Sequence, residues 1–214
     1  MIHDLLLFDL DGTLSDPLQG IGRSINHALE QHGHRPRPLA ELGTCVGPPL
    51  AQIFTGLTGE QDVERYIASY RERYGTIGYT ENTLYQGVAP TLDALRDAGI
   101  AMAVCTSKRA DFAERILERF GLHRHFTFVD GGDGSAHKRE QVAALRGRGA
   151  VGDATLMIGD RATDLVAAHD NRLQAAGVLW GYGSRVELSA EQPRYLFASP
   201  GEWLDLVPPH TPLP

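Results

Sequence analysis

Two cysteines in 214 residues are too few for a disulfide framework. Charged residues follow the N-terminus at once, so no secretion signal is expected, Cys45 and Cys105 are expected as free thiols, and the cytoplasm is the expected compartment. Long apolar runs are missing too. Leu5–Phe8 and 100–105 fall far short of the ~20 residues needed to span a bilayer, so no membrane partner is expected. Nor is there a basic excess: 20 Lys and Arg against 27 Asp and Glu leave a net charge of −7. Arg35-Pro36-Arg37 and Lys108-Arg109 are too short to form a basic face, which argues against a nucleic-acid polymer as partner.

With 42% hydrophobic and 22% charged residues, the composition is that of an ordinary globular chain, long enough for a core domain with an insertion. Apolar runs stand at Leu5–Phe8, 101–105, 126–129, 155–158 and 175–178. Helical spacing precedes each of the last four, at 88–98, 111–120, 139–148 and 163–171. This alternation predicts an α/β fold with a Rossmann-like parallel sheet core flanked by helices, Gly99 and Gly121 closing two of them. The stretch between the first strand and residue 88 breaks the alternation and is too long for a βα connection. Helical spacing at 21–32 and 62–74, interrupted by Gly47-Pro48-Pro49, predicts a small inserted all-helical cap domain. The expected boundaries are 1–15 and 88–207 for the core, 16–87 for the cap, with linkers near 15–19 and 84–87, and 208–214 for a flexible proline-rich tail.

The first apolar run delivers Asp9-Leu10-Asp11-Gly12-Thr13. Carboxylates at the end of a buried strand cost several kcal/mol unless they share a cation, hydrogen-bond donors or a reaction. In an open parallel sheet, ligands bind beyond the carboxyl ends of the strands. Other polar groups fall at such ends: Thr106-Ser107-Lys108 after 101–105, Lys138 at a helix start beyond 126–129, and Asp160 with Asp164 after 155–158. Each alone has an ordinary reading as turn cap, helix N-cap, solvated lysine or first-turn acid. Together they would bring carboxylates, a hydroxyl and an ammonium into one crevice.

That combination resembles the haloacid dehalogenase superfamily, specifically its aspartate-nucleophile phosphatases with a helical C1-type cap. Asp16-Pro17, Gly47-Pro48-Pro49-Leu50 and Gly181-Tyr182-Gly183-Ser184 are similar to the phosphoglycolate phosphatase and 5′-nucleotidase-like branch. The resemblance implies a Mg²⁺-dependent phosphomonoester phosphatase working through an aspartyl-phosphate. Asp9 is then the nucleophile and Asp11 the acid/base, while Thr106, Ser107 and Lys138 bind the phosphoryl group. Asp9, the Asp11 backbone carbonyl and Asp160 hold the metal, and Asp164 orients water or Lys138. The implied partner is a small phosphorylated metabolite, phosphoglycolate-like or a nucleoside monophosphate. A phosphomutase acting on sugar phosphates and a catalytically silent phosphometabolite-binding protein remain as alternatives, as do monomer and homodimer.

Asp130-Gly131-Gly132-Asp133-Gly134-Ser135 lacks the spacing of a dinucleotide fingerprint and is expected as a loop before Lys138. His32/His34 and His123/His125 lack a third ligand for zinc and are expected as surface-loop residues. Cys105 is expected as a buried apolar filler. Asn171-Arg172-Leu173-Gln174 stands where the resemblance leads one to expect a small glycine-containing turn.

Overall fold

The computed structural model describes residues 3–132 and 137–208; residues 133–135 of the glycine-rich stretch and 209–214 of the expected tail lie outside them. The chain divides into two compact units, Asp16–Thr83 and a discontinuous unit made of Met1–Ser15 with Leu84–Pro214. The second passage therefore falls after Thr83, and residues 84–87 group with the sheet rather than with the insertion.

The unit Asp16–Thr83 is built from helices α1 (Leu18–Gln31), α2 (Leu50–Thr58) and α3 (Glu64–Thr76), with 3₁₀ turns at Leu39–Cys45 and Gly78–Glu81. Helix α1 starts three residues earlier than its apolar spacing predicts, because Gly20 and Gly22 lie inside it. A Cβ on Gly20 would overlap the Gly78 carbonyl, so glycine there serves close packing rather than ending the helix. Helix α2 has no counterpart in the sequence expectations: it runs for nine residues, ends at Gly59 with φ 77°, and buries only Ile53 and Phe54. On α3 the tyrosines Tyr66, Tyr70 and Tyr74 recur at helical spacing and are all buried. His32 and His34 are not idle surface residues. The His34 Nε2 lies 2.8 Å from the Tyr66 hydroxyl, which donates to Glu60 at 2.6 Å, and the His32 Nε2 lies 3.1 Å from the Ser69 hydroxyl.

In the other unit, β1 (Leu5–Phe8) is the central strand. Two-residue strands β2 (Ser15–Asp16) and β3 (Thr83–Leu84) mark the chain's passages to and from the insertion. Then follow α4 (Val88–Asp97), β4 (Met102–Arg109), α5 (Ala110–Arg119), β5 (Val129–Gly132), α6 (Lys138–Gly147), β6 (Thr155–Gly159), α7 (Ala162–Asp170), β7 (Gln174–Val178), α8 (Arg185–Ala190) and β8 (Tyr195–Phe197). The strands pair in parallel in the order β5-β4-β1-β6-β7-β8. All four residues of β1 are buried, as an uninterrupted apolar run in a doubly covered parallel sheet requires. The chain order reverses at β1, between β4 and β6, so the crevice beyond the carboxyl end of β1 is the switch point where such sheets bind ligands. Among the described residues no helix is long and apolar enough to cross a membrane.

Differences from the sequence expectation are local. The strand expected at 126–129 runs instead over Val129–Gly132, although Thr127 already donates to the Met102 carbonyl at 2.8 Å. Strand β8 escaped notice because three residues carry no period. His125 is a buried residue, not a surface one: its side chain is 0% exposed, 3.6 Å from Asp93, and burial lowers its pKa. Both cysteines are free and buried.

The segment Asn171–Gln174 closes α7 with a Schellman motif: Arg172 donates to the His169 carbonyl and Leu173 to the Ala168 carbonyl, at 3.0 and 2.9 Å. Glycine normally takes the left-handed position in this motif, yet Arg172 holds it with φ 58°. Arg172→Gly removes the Cβ strain and adds some unfolded-state entropy, so a net stabilisation of about 0.5–1 kcal/mol is expected in urea unfolding. An unchanged or lower midpoint would show that the arginine side chain offsets its strain.

Candidate active site

The chain leaves β1 at Asp9, whose N–H still donates to the Ile158 carbonyl at 2.9 Å, and turns sharply. Leu14 and Ser15 donate back to the Leu10 carbonyl at 2.9 and 3.1 Å, and Gly12 sits in this turn with φ +88°. A Cβ at Gly12 would overlap the Asp160 carboxylate, so glycine lets the turn close on the loop after β6.

Lys138, the first residue of α6, ties the site together. Its Nζ lies 2.6 Å from Asp9 Oδ1, 3.0 Å from Asp164 Oδ1 and 2.9 Å from the Cys105 carbonyl, with the side chain only 7% exposed. This is no solvated helix residue. Burial alone would lower the Lys138 pKa, but the Asp164 and Asp9 carboxylates outweigh it and raise the value, so Lys138 is a fixed cation. Asp164 spends its other oxygen on the Arg161 N–H at 3.1 Å, completing a capping box on α7. Arg161 pairs through its Nε with Glu187 at 2.9 Å, and Glu187 also accepts from the Ala162 N–H.

Asp9, Asp160 and Asp164 each offer a carboxylate oxygen, all within 4.8 Å of one another. Asp160 Oδ2 accepts the Tyr182 N–H at 2.7 Å, whereas Asp160 Oδ1 is buried without a hydrogen-bond partner among the described residues. Burial, then the charges of Asp164 and Asp9, drives the Asp160 carboxyl well above its ordinary value. Buried, mutually repelling oxygen donors with an orphaned atom fit a hard divalent cation such as Mg²⁺.

Thr106 is buried and lies in β4, not at a helix N-cap; the N-cap of α5 is Arg109, and β4 continues to it. Gln141 braces Thr106 by donating to its carbonyl at 3.0 Å, while Ser107 is exposed. Cys105 just before it has its thiol pushed up to about 12, chiefly by burial, and is chemically quiet. Asp11 is also raised, by burial first and against the pull of Lys108.

All seven sequence-predicted site residues thus lie at the carboxyl ends of β1, β4 and β6 or at the start of α6 or α7. Two pairings were not read from the sequence. Lys108 Nζ makes an ion pair with Asp11 Oδ2 at 2.8 Å; its place just beyond the apolar run 101–105, beside Thr106, was the available signal. The loop 181–184 is the second. Gly183 donates to the Asp160 carbonyl at 3.1 Å, and a Cβ on Gly181 would overlap Asp160 and the Gly12 carbonyl, so the loop clasps Asp160. Arg23, on α1 of the inserted unit, pairs with Glu81 at 2.8 Å.

The sequence pattern of the family described as haloacid dehalogenase-like hydrolase matches residues 6–178. A 5′-nucleotidase of Pseudomonas aeruginosa is 40% identical over 199 residues, covering 90% of each chain. A phosphoglycolate phosphatase of Agrobacterium fabrum is 33% identical over 196 residues, covering 85% of this chain and 82% of that one. Tyrosine-protein kinase PtkA of Mycobacterium tuberculosis is 38% identical over 184 residues, covering 84% of this chain but 63% of that protein. Its solved structure superposes with a TM-score of 0.82 at 32% identity, covering 96% of this chain and 98% of that one. The chain is therefore a member of the haloacid dehalogenase-like hydrolase family.

Proposed function

We propose that the protein is a Mg²⁺-dependent phosphomonoester phosphatase that clears small phosphorylated metabolites through an aspartyl-phosphate on Asp9. The observation that carries this reading is Lys138, a buried cation bridging Asp9 and Asp164 beside the orphaned oxygen of Asp160. Phosphoryl transfer asks a protein for a positioned nucleophile, charge compensation and a proton for the leaving group. Asp9 supplies the nucleophile, held in one rotamer by Lys138. Lys138 and the Thr106 hydroxyl compensate charge on the transferring oxygens, with the Ser107 backbone N–H as a further donor. Asp11 protonates the leaving oxygen and afterwards takes a proton from the attacking water. Asp9, the Asp11 backbone carbonyl and Asp160 would hold Mg²⁺, which would supply Lewis-acid neutralisation of the phosphoryl charge. Asp164 orients Lys138 or water.

The helical unit Asp16–Thr83 is proposed as the cap that selects the substrate. Phosphoglycolate-like acids and nucleoside monophosphates are the proposed substrate classes, in line with the named relatives. Phosphate release from a panel of phosphorylated metabolites, with Mg²⁺ and with EDTA, tests the assignment. Sugar-phosphate isomerisation outpacing phosphate release would replace it with a phosphomutase, and binding without turnover would replace it with a silent phosphometabolite-binding protein.

Metal removal has a signed consequence for stability. Asp160, Asp164 and Asp11 all have raised folded pKa values against an ordinary 3.8, so the folded metal-free chain holds more protons than the unfolded one. Their contribution is complete below about pH 3.8 and is lost as pH rises through the raised values. Mg²⁺ binds the ionised forms, so its stabilising effect grows over the same window. The melting-temperature gain from Mg²⁺ over EDTA is expected to be larger at pH 7.5 than at pH 5.5. Asp160→Asn should abolish most of that gain while raising the metal-free melting temperature at pH 7.5. A gain that is independent of pH, or that survives in Asp160→Asn, would take the metal away from this acidic group.

A further inference from the structure

The Lys108–Asp11 pair is unused by the mechanism so far. Lys108 Nζ lies 2.8 Å from Asp11 Oδ2, with side-chain exposures of 7% and 15%, so this is no surface ion pair. The opposite oxygen, Asp11 Oδ1, is buried and has no hydrogen-bond partner among the described residues. The two oxygens of the acid/base are therefore unequal: Oδ2 is paired with a cation, whereas Oδ1 makes no hydrogen bond among the described residues.

The backbone is shaped to bring Lys108 there. Strands β4 and β5 pair in register from Val104 with Val129 to Thr106 with Gly131, and then slip, so that Arg109 stands opposite Gly132. Ser107 and Lys108 are the residues spanned by the slip. Such an irregularity re-aims side chains beside a site. It depends on glycines in the facing strand: a Cβ on Gly132 would sit 2.7 Å from the Ser107 carbonyl oxygen, and one on Gly131 would overlap the Ala110 backbone. Read alone, Gly131-Gly132 is a loop signal; in the sheet it makes room for the slip that carries Lys108 toward Asp11.

We propose that Lys108 is a positioning residue that pins Asp11 through Oδ2 and so makes Oδ1 the oxygen that exchanges the proton with the leaving group. The inference rests on the phosphatase reading above. In the first half-reaction a bond forms between the Asp9 carboxylate and phosphorus, and the ester P–O bond breaks with its electron pair going to the leaving oxygen. The proton passes from Asp11 Oδ1 to that oxygen, and the negative charge left on Asp11 faces Lys108 across Oδ2. A proton on Oδ2 would instead meet an ammonium, which has no acceptor to offer. Lys108 touches neither phosphorus nor the leaving oxygen in this scheme; it acts through Asp11.

The test compares two substrates with Mg²⁺ present. An alkyl phosphate expels a strongly basic alkoxide and needs the proton, whereas p-nitrophenyl phosphate expels a weakly basic phenolate and hardly does. Lys108→Met is expected to lower the single-turnover rate of leaving-group release, which reports the first half-reaction alone, by about 10²-fold for the alkyl phosphate and by less than about threefold for p-nitrophenyl phosphate. In an Asp11→Asn background, the same substitution should cost nothing further on either substrate. Equal losses on both substrates, or losses that add to those of Asp11→Asn, would overturn the proposal and leave Lys108 a structural or substrate-contacting residue. If Lys108→Met does not fold, Lys108→Gln carries the same comparison, since it removes the charge and keeps a polar end. Failure of the underlying reading looks different: the wild-type protein would then release phosphate from neither substrate.

Discussion

Asp9→Asn is expected to reduce phosphate release by at least ~10⁴-fold while leaving the protein folded, on the scale seen when a covalent nucleophile is removed from an enzyme. The substitution is close to isosteric, and the amide oxygen can still accept from Lys138, which lies 2.6 Å from Asp9 Oδ1. Removing one of three carboxylates that converge within 4.8 Å also relieves repulsion, so the metal-free melting temperature should hold or rise. That combination separates chemistry from folding. Turnover above about a tenth of wild type, with the melting temperature preserved, would remove Asp9 from the role of nucleophile.

Lys138→Met should cost both activity and stability. Methionine fills a similar volume but withdraws the cation that faces Asp9, Asp164 and the Cys105 carbonyl at 2.6, 3.0 and 2.9 Å. Removing one partner of a buried ion pair leaves uncompensated charge, at a cost of about 3–5 kcal/mol. For a chain of this size that is a drop of roughly 10 °C in melting temperature. Because the loss comes from the carboxylates left behind, Asp164→Asn added to Lys138→Met should restore part of it. Mg²⁺ should restore stability too, by supplying positive charge to the same oxygens, but not turnover. Equal stability in Lys138→Met would mean that the acids shed their charge at little cost, and additive losses in the double variant would mean that Lys138 does not serve Asp164.

The sheet was legible because its strands are buried on both faces. A strand such as Leu5–Phe8 must then be apolar throughout, and this survives in one dimension. The acids were legible for the opposite reason: Asp9 and Asp160 stand directly after such runs, where an unexplained carboxylate is costly. Helix α2 buries only Ile53 and Phe54 and leaves too faint a period to notice. The start of α1 was hidden by Gly20, whose purpose is the approach of Gly78, a residue far along the chain. Arg172 shows the converse: the sequence marked the turn as unusual, and the fold tolerates it through two Schellman hydrogen bonds at the cost of a left-handed arginine.

By itself the sequence determined the class of fold, the order of the strands along the chain and the residue types that meet beyond their ends, because burial and the cost of buried charge act on each segment where it stands. Only the tertiary structure decided which charges neutralise which: Lys138 bridging Asp9 and Asp164, Lys108 on Asp11, and the Gly181–Gly183 backbone clasping Asp160. Those pairings join residues distant in sequence across a few ångströms. They depend on strand register, on the slip opposite Gly131-Gly132 and on where each side chain ends, none of which is carried by a single segment.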